Sequence, residues 1–385
     1  MISEFFSKRY NDFKRMDKTL LICSMILFAL GLVMVFSASN VSSSFKLNDQ
    51  TYFFRHQLLF LCFGLIISIF IIFINTKMFG PLSCLGLVAL IGCLILVLFI
   101  GPVINQARSW LPLTKNFRFQ PSEFVKVVSI VWMSYICCSI PNLKLWVRYV
   151  LLFVFVGVVV ALIAVQPDLG TAGIYFGIIF FMFLSLTKTP KTKKYLLIGS
   201  GVLAVLAIGF LFTSTGKGLV DRLVSRLDFT NPCSEEKFYT TGTQLCNGYI
   251  AFNNGGMFGV GLGNSTQKYL YLPEAYSDFI FAIVVEELGF IPSILILGLM
   301  FVCVWRIYII GKRANSAYKR LICYGVFLYL LIHILINLLG VTGLMPLTGV
   351  PLPFLSYGGS FLICLITALA FVQRVNIETM YEKNK

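Results

Sequence analysis

Charge is scarce in this sequence. Asp, Glu, Lys and Arg make up 12% of 385 residues, and the acidic ones number only 16. A soluble domain carries roughly a quarter charged residues, so a soluble fold of this length is excluded. No internal repeat stands out, so nothing announces a transporter of paired halves. The one glycine-rich run, Asn253-Asn254-Gly255-Gly256 through Gly259-Val260-Gly261-Leu262-Gly263, has no strand before it and is not a nucleotide fingerprint. It could cradle a phosphate on backbone N–H groups or be a tight re-entrant turn at membrane depth.

What replaces charge is apolar surface. Hydrophobic residues reach 58% and the mean hydropathy is +0.87, which makes this an all-α polytopic membrane protein. A basic tail at 1–18 precedes a first apolar run, Thr19 to Ser37, which is longer than the core of a cleaved signal peptide. Further spans read at Gln57–Ile74, Pro81–Val103, Phe124–Ile140, Tyr149–Val165, Leu169–Leu186, Tyr195–Phe212, Phe279–Ile310, Leu321–Leu339 and Ser360–Val372. That is about ten transmembrane helices within a membrane domain at 19–375, one large extracellular loop at about 213–277, and a tail at 376–385. The span Phe279–Ile310 is overlong and is interrupted by Glu286, Glu287, Gly289 and Pro292. The formal charge of +15 comes from short basic clusters between spans, which orient a membrane protein and give no reason to expect nucleic acid. With both termini cytoplasmic, the inside segments hold 20 of the 31 Lys and Arg, as the positive-inside rule requires.

The outside loops carry the polar residues that orientation does not explain. Leu219 to Asp228 has apolar residues at helical spacing and should lie flat on the outer leaflet. Cys233 and Cys246 face an oxidising compartment. A bridge between them would stabilise by about 3 kcal/mol, and two free thiols are the alternative. Arg55 with His56, Arg108, Gln120 to Lys126 and Gln166 to Thr171 each set a charge at the outer edge of a span. Singly these are interfacial charges or structural pairs, as Glu123 and Lys126 at i, i+3 suggest. Together they resemble the rim of a groove for an anionic head group. The segment from Tyr271 to Ala282 ends the large loop, and Pro273 suits the first position of a helix, with Glu274 in its first turn. Asp278 would then lie about one turn inside a helix entering lipid, either as a functional carboxylate or as a marker of the membrane surface. On one continuous helix Glu286 lies about 80° around and roughly 12 Å beyond Asp278, in reach of the same cavity. Glu287 points the other way, into the bundle.

Four motifs carry a resemblance. Leu272-Pro273-Glu274-Ala275-Tyr276-Ser277-Asp278-Phe279-Ile280-Phe281-Ala282, Gln120-Pro121-Ser122-Glu123-Phe124, Gln166-Pro167-Asp168-Leu169-Gly170-Thr171 and Pro351-Leu352-Pro353-Phe354-Leu355-Ser356-Tyr357-Gly358-Gly359-Ser360 resemble signatures of the SEDS proteins (shape, elongation, division and sporulation). Leu-Pro-Glu-Ala ahead of Ser277-Asp278 is more similar to the division member than to the rod-shape member, and the paired cysteines resemble those of Gram-positive division members. The resemblance implies a peptidoglycan glycosyltransferase that polymerises lipid II at the outer face of the bacterial cytoplasmic membrane, at the division septum. It would sit in membrane lipid and work with a class B penicillin-binding protein and other divisome membrane proteins. It implies Asp278 as catalytic base and Arg55, Arg108, Glu123, Lys126, Asp168, Glu274 and Ser356 in substrate handling or cavity structure. Arg108, Lys126 and Arg55 are the candidates to meet the pyrophosphate, with magnesium or manganese as a candidate cofactor. A rod-shape polymerase, a lipid-precursor flippase and a scaffold that recruits a synthase are the competing readings.

Overall fold

The computed structural model describes residues 11–104, 107–114, 117–140, 144–186, 190–211, 231–239 and 242–383. The helices, in order, are α1 (Lys18–Leu47), α2 (Tyr52–Phe73), α3 (Thr76–Ile100), α4 (Pro121–Cys138), α5 (Leu145–Val165), α6 (Leu169–Leu186), α7 (Pro190–Leu211), α8 (Glu235–Phe238), α9 (Thr243–Gly255), α10 (Ile280–Leu288), α11 (Phe290–Arg313), α12 (Ala317–Val341) and α13 (Gly359–Lys383). Among the described residues, nine are long and apolar enough to cross a membrane. Helix α7 covers all but the last residue of the further span expected at Tyr195–Phe212. The expected surface helix at Leu219–Asp228 lies outside the described residues.

The fold is not purely helical. Between α3 and α4 two short antiparallel strands, β1 (Leu111–Pro112) and β2 (Arg118–Phe119), pair Leu111 with Phe119 and Pro112 with Arg118. This hairpin hangs over the cavity described below.

The overlong span breaks where its polar residues said it would. Gly289 ends α10 and caps α11 at φ +92°, and a Cβ there would come within 2.4 Å of the Gly259 backbone nitrogen. Only glycine fits that turn. The glycine-rich run packs into the break. Val260 N–H donates to the Glu286 carbonyl (2.9 Å), Gly261 N–H to the Glu287 carbonyl (3.0 Å), and Phe290 N–H to the Gly256 carbonyl (2.9 Å). With the Val260 and Gly261 amides turned to the end of α10, the run is a turn that closes the helix break.

Two acidic side chains fix that turn from beneath. Glu286 accepts from Asn254 Nδ2 (3.0 Å), Thr266 Oγ1 (2.9 Å), Thr266 N–H (3.2 Å) and Ser265 Oγ. Glu287 accepts from Ser37 Oγ of α1 (2.7 Å) and pairs with Lys268 Nζ at 3.1 Å, as its inward face predicted. At the opposite end, residues 376–383 of the tail expected at 376–385 continue α13. Glu378 there accepts from Thr76 N–H (2.9 Å) and pairs with Lys319 (3.0 Å) and Arg374 (3.0 Å).

Candidate functional site

The outer ends of α2, α4, α6, α10 and α13, with their loops, surround a cavity of about 990 Å³. This is the side that the charge distribution assigns to the outside. Asp278, Glu274, Glu123, Lys126 and Asp168 all line it.

Asp278 reaches the cavity on a turn and not on a helix. Residues 273–279 are non-helical, α10 begins at Ile280, and Glu274 sits at φ +55°. The Glu274 carbonyl accepts Ser277 N–H at 3.1 Å and Phe279 N–H at 3.4 Å, so the chain curls here instead of starting the helix that Pro273 suggested. Two neighbours fix the turn. Asn337 Nδ2, from α12, donates to the Asp278 carbonyl at 2.8 Å and to the Val350 carbonyl at 2.7 Å, joining the aspartate's backbone to the loop ahead of α13. In that loop Gly349 has φ +68°, and a Cβ there would lie 3.3 Å from Asp278 Oδ2. The aspartate therefore stands in a slot built by sequence-distant residues.

Because α10 starts only at Ile280, the helical arc drawn from Asp278 to Glu286 does not exist. Glu286 is fully buried under the glycine turn and is not among the cavity-lining residues. Ser356 is also a brace. Its hydroxyl donates to the Ser277 carbonyl (2.6 Å) and accepts Leu352 N–H (2.8 Å), and it does not line the cavity.

The cavity floor holds a buried charge chain. Glu123 Oε1 lies 2.8 Å from Lys126 Nζ, with both side chains no more than 4% exposed. Lys126 Nζ also reaches His333 Nε2 at 3.0 Å, while His333 Nδ1 lies 2.7 Å from the Tyr329 carbonyl. A carbonyl only accepts, so Nδ1 carries the proton and Nε2 takes a hydrogen from the ammonium. Among the described residues, Glu123 Oε2 is buried with no hydrogen-bond partner. Asp168 Oδ1 accepts Thr171 N–H (3.1 Å) at the start of α6, and its Oδ2 accepts Gln120 Nε2 (3.3 Å).

Two expected cations lie elsewhere. Arg55 pairs with Asp49 at 2.8 Å on the surface, and Arg108 donates to the Leu98 carbonyl at 3.3 Å. Neither lines the cavity, whereas Arg118 of β2, exposed and unremarked in the sequence, does. Hydrogen bonds from Thr51, first from its backbone N–H, and the Arg55 guanidinium hold Asp49 below the usual carboxylate range. Above the cavity, Cys233 and Cys246 are joined in a disulfide. Pro232, Gly242, Gln244 and Leu245, in or beside the closed loop, form part of the cavity wall.

Among the described residues no three His, Cys, Asp or Glu side chains assemble a metal site. A magnesium ion characteristically takes one or two carboxylates and completes its shell with water and substrate phosphate. Asp278, Glu274, Asp168 and Glu123 are the carboxylates that line the cavity.

The family model for the cell cycle proteins FTSW_RODA_SPOVE matches residues 17–381. Coxiella burnetii "Probable peptidoglycan glycosyltransferase FtsW" is 35% identical over 94% of this chain and 96% of its own. Bacillus subtilis "Stage V sporulation protein E" is 35% identical over 95% of this chain and 98% of its own. In fold the chain is similar to one solved as part of a peptidoglycan synthase complex, with a TM-score of 0.72 over 94% of this chain and 97% of that one, at 24% identity.

Proposed function

Because the chain belongs to the cell cycle protein family FTSW_RODA_SPOVE, we propose that it is a peptidoglycan glycosyltransferase that polymerises lipid II at the outer face of the bacterial cytoplasmic membrane. The observation that carries the reading is the convergence of Asp278, Glu123, Lys126, Asp168 and Arg118 on one large cavity at the outer ends of the spans.

The reaction asks little of side-chain chemistry. A sugar hydroxyl attacks an anomeric carbon from the face opposite the departing pyrophosphate, inverting the configuration. Asp278 accepts the proton from that hydroxyl. The pyrophosphate leaves without needing a proton, so a second carboxylic acid of the kind used by inverting hydrolases is not required. Arg118, exposed on the hairpin, meets the charge that develops on the leaving group. Lys126 adds positive charge to the floor but is held by Glu123 and His333, which suits it to fixing the cavity's shape.

The motif ahead of Ser277-Asp278 and relatives named FtsW support division over elongation. On this reading the protein acts at the septum beside a class B penicillin-binding protein and other divisome membrane proteins, with both termini cytoplasmic. The test is gel-resolved polymerisation of labelled lipid II by purified protein, without nucleotide or ion gradient, alone and with a class B penicillin-binding protein whose transpeptidase is inactive. Glycan ladders are expected. No ladder from folded protein with that partner present would overturn the assignment.

A further inference from the structure

One wall of the cavity is aromatic, and the reaction sketched above does not use it. Phe53, from the first turn of α2, stacks on Tyr276 with ring centroids 4.5 Å apart and planes 26° apart. Tyr357 stands edge-on to both, at 5.0 Å from Phe53 and 5.8 Å from Tyr276. All three rings line the cavity. They come from three elements, yet they are clamped into one unit. Tyr357 N–H donates to the Tyr276 carbonyl (2.9 Å), Gln57 Nε2 to the Ser356 carbonyl (3.1 Å) and Gly358 N–H to Gln57 Oε1 (3.2 Å). A ring cluster fixed this firmly loses little side-chain freedom when a ligand settles on it.

Charged side chains share the cavity with the cluster, Glu274 and Arg118 among them. The Glu274 carboxylate acts on the Tyr276 hydroxyl, which burial and that carboxylate together push well above its ordinary range. Arg118 lines the same cavity as the three rings. An apolar wall edged by an acceptor and a donor suits a pyranose ring. Its axial C–H groups present a weakly positive face to aromatic π density, and its equatorial hydroxyls reach carboxylate and guanidinium. A polyprenyl tail fits badly, since it would strip water from Glu274 and Arg118 and return no hydrogen bond.

We propose that Phe53, Tyr276 and Tyr357 form a saccharide platform, seating the sugar whose hydroxyl is deprotonated by Asp278 two residues beyond Tyr276. This deepens the glycosyltransferase reading and rests on it. The platform orients the acceptor ring, and the carboxylate then meets one hydroxyl of several.

The experiment measures binding of two probes, lipid II and sugar-free undecaprenyl pyrophosphate, to the full chain in lipid nanodiscs. Tyr276→Leu and Phe53→Leu are expected to weaken lipid II binding about tenfold and to leave undecaprenyl pyrophosphate within about twofold of wild type. Tyr276→Phe, which keeps the ring, should recover most of the loss seen with leucine. Equal losses for both probes would mean that the wall contacts tail or pyrophosphate or only supports the fold, and would overturn the platform. Unchanged lipid II binding in both leucine variants would overturn it too. If wild type makes glycan with its partner while the leucine variants bind lipid II normally, the platform alone fails. If wild type neither binds lipid II nor makes glycan, the parent reading fails with it.

Discussion

Lys268→Met removes the ammonium that holds the glycine turn against α1 and α10. Lys268 Nζ contacts Glu287 Oε1 at 3.1 Å, Ser37 Oγ at 3.4 Å and the Gly263 carbonyl at 2.5 Å. The Lys268 and Glu287 side chains are 1% and 0% exposed. Methionine fills much of the volume but leaves the Glu287 carboxylate buried with Ser37 as its remaining described donor. Removing one partner of a buried pair costs about 3–5 kcal/mol, because the other charge stays behind without compensation. Removing both charges, with Lys268→Met and Glu287→Gln together, should restore most of that, since a buried pair gains little over its neutral replacement. Thermal melting in detergent, followed by fluorescence-detected size exclusion, gives all four corners of the cycle. The single variants should melt well below wild type and the double variant between them and wild type, with a coupling of about 2 kcal/mol or more. Single variants that melt within about 1 °C of wild type would refute the argument, as would a double variant less stable than either single one.

Three further outcomes follow from the site. Gly349→Ala forces a side chain into a left-handed backbone, at a cost of about 1–2 kcal/mol, and sets a methyl group 3.3 Å from Asp278 Oδ2; polymerisation should fall about tenfold in protein that still elutes as a folded peak, and full activity would show that the slot is not needed. Arg118→Gln should lower kcat/KM for lipid II by about tenfold or more through loss of charge at the leaving group, and wild-type turnover would remove Arg118 from that role. Replacing Cys233 and Cys246 together by serine opens a loop with a sequence separation of 13, worth about 3 kcal/mol; trypsin should then cut at Lys237 faster than in wild type, and equal cleavage rates would show that the bridge does not restrain the cavity wall.

Much of the membrane frame was legible because a span is a property of consecutive residues, and runs such as Tyr149–Val165, which falls within the helix Leu145–Val165, announce themselves. The break in the overlong span was legible as well, since Gly289 and two glutamates cannot pass as lipid-facing helix. The start of α10 was not. Pro273 and Glu274 carry the local marks of a helix N-terminus, but the Ser277 and Phe279 N–H groups turn back to Glu274, and Tyr357 N–H takes the Tyr276 carbonyl. Tyr357 lies far along the chain, and no local rule weighs it. The same error misplaced Glu286, whose position around a helix was drawn from Asp278 through residues that are not helical. Glu123 with Lys126 could be read because their spacing is a helical neighbour relation. Arg118, His333, Asn337 and Gly349 could not, since each acquires its neighbours only when the bundle brings sequence-distant elements together.

The role of Asp278 as base is tested directly by the activity of Asp278→Asn, measured as glycan ladders from labelled lipid II with the class B penicillin-binding protein present and the variant's melting temperature recorded alongside. Asparagine keeps the shape and the Asn337 bond to the backbone carbonyl but cannot take a proton, so no polymer is expected from a variant that melts like wild type and still binds lipid II. Ladders at the wild-type rate would contradict the assignment of Asp278 as the base.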